Sequence, residues 1–273
     1  MKVCLTIAGV DPSGGAGIIA DIKTFTAFGC FAATAVTSLT FQNTQGVFGF
    51  ENQTADCVRQ QILPIFDDFN VSAVKTGMLP TQEIIEEIAR IIVEKNVENF
   101  VVDPVVRSTS GFDLIDDNAL QSLIKNLFLL AKIITPNIPE AERITGLKIE
   151  NEDDIRQAAK IMQSFGAKNV LIKGGHFQGK REKGKGKAQS RNATDFLFIG
   201  DELFVFEAEF VETNSTHGTG CTLAAAITAN LANGKSLNES VAKSKKFVTQ
   251  AIKTSPNLGK GNPSVNHNVK VFE

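Results

Sequence analysis

The chain has 273 residues, 42% of them hydrophobic and 21% charged, with a formal net charge of -2. That length and composition suit a soluble globular protein with a large core, and the near-neutral balance supplies no basic face for a nucleic-acid backbone. The cysteines Cys4, Cys30, Cys57 and Cys221 are scattered and form no CxxC pair, which argues against a zinc knuckle or a disulfide scaffold and for a reducing compartment, the cytoplasm.

The elements are read in chain order from apolar periodicity and turn residues. Val3 to Ala8 reads as a strand, not as a signal peptide, because a Gly/Asp/Pro/Ser turn follows at once. Gly15 to Phe28 reads as a helix, Phe31 to Leu39 as a strand, Ala55 to Phe69 as a helix and Ala73 to Lys75 as a strand. Thr81 to Glu94 is a helix in which Ile84, Ile88, Ile91 and Ile92 repeat at helical spacing as one buried stripe. A strand over Phe100 to Asp103, a helix over Asp117 to Leu130 and a strand over Lys132 to Thr135 come next. Two helices between Pro139 and Phe165 and a strand over Asn169 to Lys173 complete the alternation. It is the pattern of a mostly parallel sheet covered by helices on both faces, a three-layer α/β/α architecture.

After Lys173 the chain changes character. A lysine- and glycine-rich stretch, Gly179 to Gln189, reads as a solvated, mobile loop or as a contact for an anionic partner. A β-hairpin over Ala193 to Ile199 and Leu203 to Phe210 comes next, then helices over Cys221 to Asn233 and Leu237 to Thr254 and an irregular tail. No apolar run reaches the roughly 18 residues of a membrane helix. With no internal repeat and no linker, residues 1–273 read as a single domain.

Four turns carry candidate chemistry. Thr216-His217-Gly218-Thr219-Gly220-Cys221 opens a small-residue helix whose first-turn N–H groups lack partners. It is read either as an anion hole that also lowers the Cys221 pKa or as a glycine turn capping a core helix. Asp103-Pro104 and Thr135-Pro136-Asn137-x-x-Glu140 put polar groups at the carboxyl edge of the sheet, where open α/β sheets bind ligands. Asn137 and Glu140 suit a magnesium shell or phosphate oxygens, or equally a helix-start turn. Gly15-x-Gly17-x-x-Ala20 matches the dinucleotide fingerprint formally but lacks the acidic ribose partner on the next strand. Gly174 to Arg181 resembles a P-loop but has Arg181 where Ser or Thr must ligate magnesium. The histidines show no zinc spacing; His217 lies near the chemistry and His176 at the nucleotide edge.

Four separated motifs, Ala8-Gly9-x-Asp11-Pro12-Ser13-Gly14-Gly15-Ala16-Gly17 with Asp21-x-Lys23-Thr24-Phe25, Gln42-Asn43-Thr44-x-Gly46-Val47, Lys75-x-Gly77-Met78-Leu79 and Thr216 to Thr222, together resemble the hydroxymethylpyrimidine/phosphomethylpyrimidine kinases of thiamine biosynthesis. The resemblance runs in order from Thr6 to about His267 and implies the ribokinase-like fold. It implies ATP- and Mg2+-dependent phosphorylation of 4-amino-5-hydroxymethyl-2-methylpyrimidine and then of its monophosphate. Carried onto this chain, Gln42 would bond the ring, and Gly9, Asp21, Met78 and Val105 would line its pocket. Asn137, Lys173, Thr216, Gly218 and Thr219 would hold the nucleotide, while Asp103 and Glu140 would hold magnesium. Gly218, Gly220 and Cys221 would form the catalytic anion hole, with Cys221 taking the hydroxyl proton. Many relatives carry Lys after the Asp-Pro strand, where Arg107 substitutes here or Thr109 is tolerated. A homodimer is compatible with this fold. The competing expectations are a pyridoxine/pyridoxal kinase on the same scaffold and a pyrimidine sensor without turnover.

Overall fold

The strand–helix alternation is present in the computed structural model, which describes residues 1–107, 113–175 and 192–271. The elements are β1 (Val3–Val10), α1 (Gly17–Ala27), β2 (Phe31–Asn43), β3 (Gly46–Asn52), α2 (Ala55–Asp68), β4 (Val71–Thr76), α3 (Gln82–Glu94), β5 (Phe100–Val102) and α4 (Asp117–Leu127). They continue with β6 (Ile133–Ile134), α5 (Ile138–Thr145), α6 (Glu152–Ser164), β7 (Asn169–Lys173), β8 (Asn192–Ile199), β9 (Glu202–Glu209), α7 (Thr219–Ala232) and α8 (Leu237–Lys253). The strands form one sheet in the order β3-β2-β1-β4-β5-β6-β7-β8-β9. From β2 to β7 the pairing along this order is parallel, whereas β3 pairs antiparallel with β2, β8 with β7 and β9 with β8. The loops after β1, β4, β5, β6 and β7 therefore leave from the same edge.

Successive side chains of a strand point to opposite faces. Cys4, Ala73, Val101, Ile133 and Leu171 thus share a core with residues of α1, α7 and α8, while Leu5, Val74, Val102, Ile134 and Ile172 share one with residues of α2 to α6. The isoleucine stripe of α3 is buried as its spacing requires. In α7, every residue from Thr222 to Ala232 is buried, which explains a helix with no charged side chain.

Two differences from the sequence reading bear on function. β2 continues past Leu39 to Asn43 and pairs with β3, a strand the sequence reading leaves unassigned. The intervening turn is closed by a side chain, Asn43 Oδ1 accepting from the Gln45 N–H at 2.8 Å, so the usual glycine signature is missing. The pairing shifts register between Phe41 and Gln42, a bulge of the kind that re-aims the following side chain. The second difference is that α7 begins at Thr219, not Cys221, which puts the thiol inside the first helical turn. His176, Thr109 and the loop Gly179 to Gln189 lie outside the described residues.

Candidate active site

Of the eight helices among the described residues, six start with a side-chain cap, supplied by Thr54, Thr81, Asp116, Asn137, Asn151 and Ser236. The two without such a cap are α1 and α7. The starts of both, Ala16-Gly17 and Gly218-Gly220-Cys221, line one cavity at the carboxyl edge of the sheet. The positive end of the helix dipole favours an anion at such a place. The two loops are pressed together. Gly218 has φ +80, and a Cβ there would collide with the Gly15 carbonyl.

Gly9, Gln42, Met78 and Val105 line this cavity, as do Asp103, Asn137, Glu140, Lys173, Gly218, Gly220 and Cys221. Thr216 and Thr219 instead line an adjoining cavity, which shares Arg107, Asn137, Lys173 and Gly220 with the first. The predicted residues thus divide into two neighbouring spaces with a common wall. Asp21 requires a correction: it does not line the ring pocket. Its carboxylate turns inward from α1, taking Lys75 Nζ at 2.9 Å and the Thr6 hydroxyl at 2.6 Å, with no exposed side-chain surface.

Lys173 at the end of β7 reaches Asp103 Oδ1 at 2.8 Å and Glu140 Oε2 at 3.8 Å. Burial opposes its charge, yet the two carboxylates outweigh burial and hold its pKa above the ordinary lysine value. Burial pushes Glu140 up to about 7, against Lys173 and aided by Asp103. For Asp103, burial acts upward, but Lys173 and Lys75 prevail and the pKa lies below the usual carboxylate range. The helix-start reading of Asn137 and Glu140 is realised: the side-chain Oδ1 of Asn137 accepts the Glu140 N–H at 2.8 Å and Glu140 Oε2 accepts the Asn137 N–H at 2.7 Å. The same capping box fixes Glu140 beside Lys173.

Among the described residues no cluster of three or more His, Cys, Asp or Glu side chains is arranged to hold a metal. Asp103 and Glu140, converging on one ammonium, nevertheless fit magnesium, which binds through one or two carboxylates and completes its shell with phosphate oxygens and water.

Cys221 departs from expectation. Burial pushes its thiol up to about 11, aided by Asp21 and Asp103 and opposed by Lys75 and by a hydrogen bond from the Gly17 N–H. The helix start alone does not bring it to neutrality.

Sequence reasoning assigned no role to Asp11, whose carboxylate organises the first loop. It accepts from Ser13 N at 2.8 Å, Ser13 Oγ at 2.7 Å, Gly15 N at 3.2 Å and Ala16 N at 2.9 Å, and it contacts His217 Nε2 at 2.7 Å. Burial would raise its pKa, but the hydrogen bonds from His217, Ser13 and Gln42 hold it well below the usual range. The insertion of Asp11-Pro12 before the glycines was the available signal. Lys75, a charge inside the strand β4, was another.

The sequence matches the family described as phosphomethylpyrimidine kinase over residues 11–266. A hydroxymethylpyrimidine/phosphomethylpyrimidine kinase of Staphylococcus aureus is 42% identical over 267 residues, covering 97% of this chain and 93% of the relative. The crystal structure of a phosphomethylpyrimidine kinase from Clostridium difficile superposes with a TM-score of 0.79 at 42% identity, covering 92% of this chain and 100% of that one. The ADP complex of Bacillus subtilis pyridoxal kinase superposes with a TM-score of 0.85 at 38% identity, covering 98% and 97%.

Proposed function

The chain belongs to the phosphomethylpyrimidine kinase family, with its ribokinase-like fold, and from that premise we propose that it uses ATP to phosphorylate 4-amino-5-hydroxymethyl-2-methylpyrimidine and then the monophosphate, in thiamine biosynthesis. The observation that carries this reading is the convergence of two helix starts without side-chain caps, Gln42, Lys173 and Cys221 on one cavity. In phosphoryl transfer most of the catalysis is positioning and electrostatic stabilisation, and each of these residues supplies a part of it. Gln42 offers a donor and an acceptor together to adjacent ring nitrogen and exocyclic amine. Gly9, Met78 and Val105 wall the ring. The N–H groups of Gly218, Gly220 and Cys221 and the Lys173 ammonium face the transferring phosphoryl group, and Thr216, Thr219 and Asn137 flank the nucleotide in the adjoining cavity. Cys221 accepts the hydroxyl proton. Asp103 and Glu140 would hold Mg2+, which supplies charge neutralisation at the phosphates.

The reading includes a cytoplasmic enzyme acting as one domain across residues 1–273, able to pair as a homodimer, with no nucleic-acid or membrane partner. A pyridoxal kinase is the second reading, favoured by the fold match to the Bacillus subtilis enzyme. ADP release measured with hydroxymethylpyrimidine, its monophosphate, pyridoxal and ribose decides between them. The proposal expects turnover on both pyrimidines at kcat/KM above that on pyridoxal; turnover on pyridoxal alone contradicts it.

A further inference from the structure

Lys75 and Asp21 form an ion pair at 2.9 Å in which neither side chain has any exposed surface. Taking two charges out of water costs more than their attraction commonly returns, so such a pair is poorly explained by stability. It is also incompletely satisfied. Asp21 Oδ2 receives both Lys75 and the Thr6 hydroxyl at 2.6 Å, whereas the buried Oδ1 has no hydrogen-bond partner. The ammonium, with three donors, lies immediately behind Gly77. A Cβ at that position would stand 3.2 Å from Lys75 Nζ, and Gly77 lines the cavity together with Cys221. α7 packs against β4, so the helix that carries Cys221 lies on the strand that carries Lys75.

We propose that Lys75 is a positioning residue for the phosphoryl transfer: anchored by Asp21 and Thr6, its ammonium stabilises the deprotonated Cys221 from inside the sheet. The inference rests on the reading that Cys221 takes the substrate proton. In that step the hydroxyl proton passes to Cys221 Sγ, and the freed oxygen forms a bond to the γ-phosphorus of ATP. The bond to the bridging oxygen breaks with its electron pair, which leaves on ADP. The groups facing the thiol are Lys75 from β4, Lys173 from β7 and the Gly17 N–H at the start of α1, all favouring the thiolate. Asp21 from α1 and Asp103 after β5 oppose it. Lys75 itself is faced by Asp21, Asp103 and Cys221, each of which favours its charge against burial.

A merely structural ion pair and an electrostatic one differ in sign. In Asp21→Asn the ammonium loses its counter-ion and a carboxylate near the thiol disappears, so the Cys221 pKa falls. In Lys75→Met combined with Asp21→Asn the ammonium itself is gone, and the Cys221 pKa rises. The probe is iodoacetamide on the ligand-free enzyme across pH, with alkylation of the Cys221 peptide followed by mass spectrometry, alongside the pH profile of kcat. The expected shift in the double variant is about one unit upward, or roughly tenfold slower alkylation near neutrality, with a downward shift in Asp21→Asn. Equal thiol pKa values in the wild type and both variants overturn the inference. Should the double variant not fold, Lys75→Gln combined with Asp21→Asn, which keeps polar groups in place of the pair without its charges, replaces it: a thiol pKa above that of Asp21→Asn supports the inference, and one equal to it or below overturns it. A shifted thiol with an unshifted kcat profile removes Cys221 as proton acceptor and Lys75's part in catalysis with it, while the ammonium–thiolate interaction stands.

Discussion

Gln42 follows a register shift in β2 and lines the cavity, a position from which its amide contributes to heterocycle choice. Removing one partner of a buried hydrogen bond costs about 1 to 3 kcal/mol. Gln42→Met is therefore expected to lower the kcat/KM ratio of hydroxymethylpyrimidine over pyridoxal about ten- to a hundredfold; an unchanged ratio removes Gln42 from ring recognition. For Cys221, loss of a general base commonly costs about 10² to 10⁴ in rate. Cys221→Ala is expected to lose kcat by that factor while ATP affinity stays, and Cys221→Asp to retain more activity than Ala. With the thiol pushed up to about 11, the thiolate is scarce near neutrality, so wild-type kcat should climb with pH where chemistry limits the rate. Most of these side chains were legible because each follows a strand or opens a helix at a motif. Asp21 is the exception: the resemblance alone places it in the ring pocket, and whether it turns to the cavity or to the sheet is decided by its partners Thr6 and Lys75.

At the scale of elements, the tail that reads as irregular in sequence ties two parts of the site together. The Asn262 N–H donates to the Thr44 carbonyl at 2.7 Å in the β2–β3 turn, and the Val265 N–H donates to the His217 carbonyl at 3.4 Å ahead of α7. His267 then docks on α7, its Nε2 3.0 Å from Thr222 Oγ1. Burial, with Lys23 and His217 adding, lowers the His267 pKa to about 4 from 6.5. The unfolded chain therefore binds the proton first, so this stability is fully present above about pH 6.5 and is lost as pH falls toward 4. From pH 7 to pH 5 the loss is about 2 kcal/mol. His267→Gln should flatten that part of the stability-against-pH curve in denaturant titrations; an equally steep curve would show that other groups carry it. Neither this strap nor the β2–β3 hairpin was legible: the strap depends on backbone bonds between segments far apart in sequence, and the hairpin turn is closed by the Asn43 side chain without the usual glycine signature.

Across the whole molecule, strand and helix alternation announced a parallel sheet, and parallel strands necessarily deliver their following loops to one edge. That geometry gathers Asp11, Gly77, Asp103, Asn137 and Lys173, which are separated by long stretches of chain, into one cavity lining. The order of the strands was not legible, because periodicity says which segments are strands and nothing about which neighbours pair. The two-cavity arrangement, with Arg107, Asn137, Lys173 and Gly220 in the shared wall, suits transfer between a nucleotide and a small heterocycle. The measurement that tests this most directly follows hydroxymethylpyrimidine and limiting enzyme with excess ATP by phosphorus NMR, with ADP counted in parallel. The account predicts a monophosphate that accumulates and is consumed to a diphosphate, with two ADP formed per pyrimidine. No phosphorylated pyrimidine, or a reaction that stops at one ADP, would contradict it.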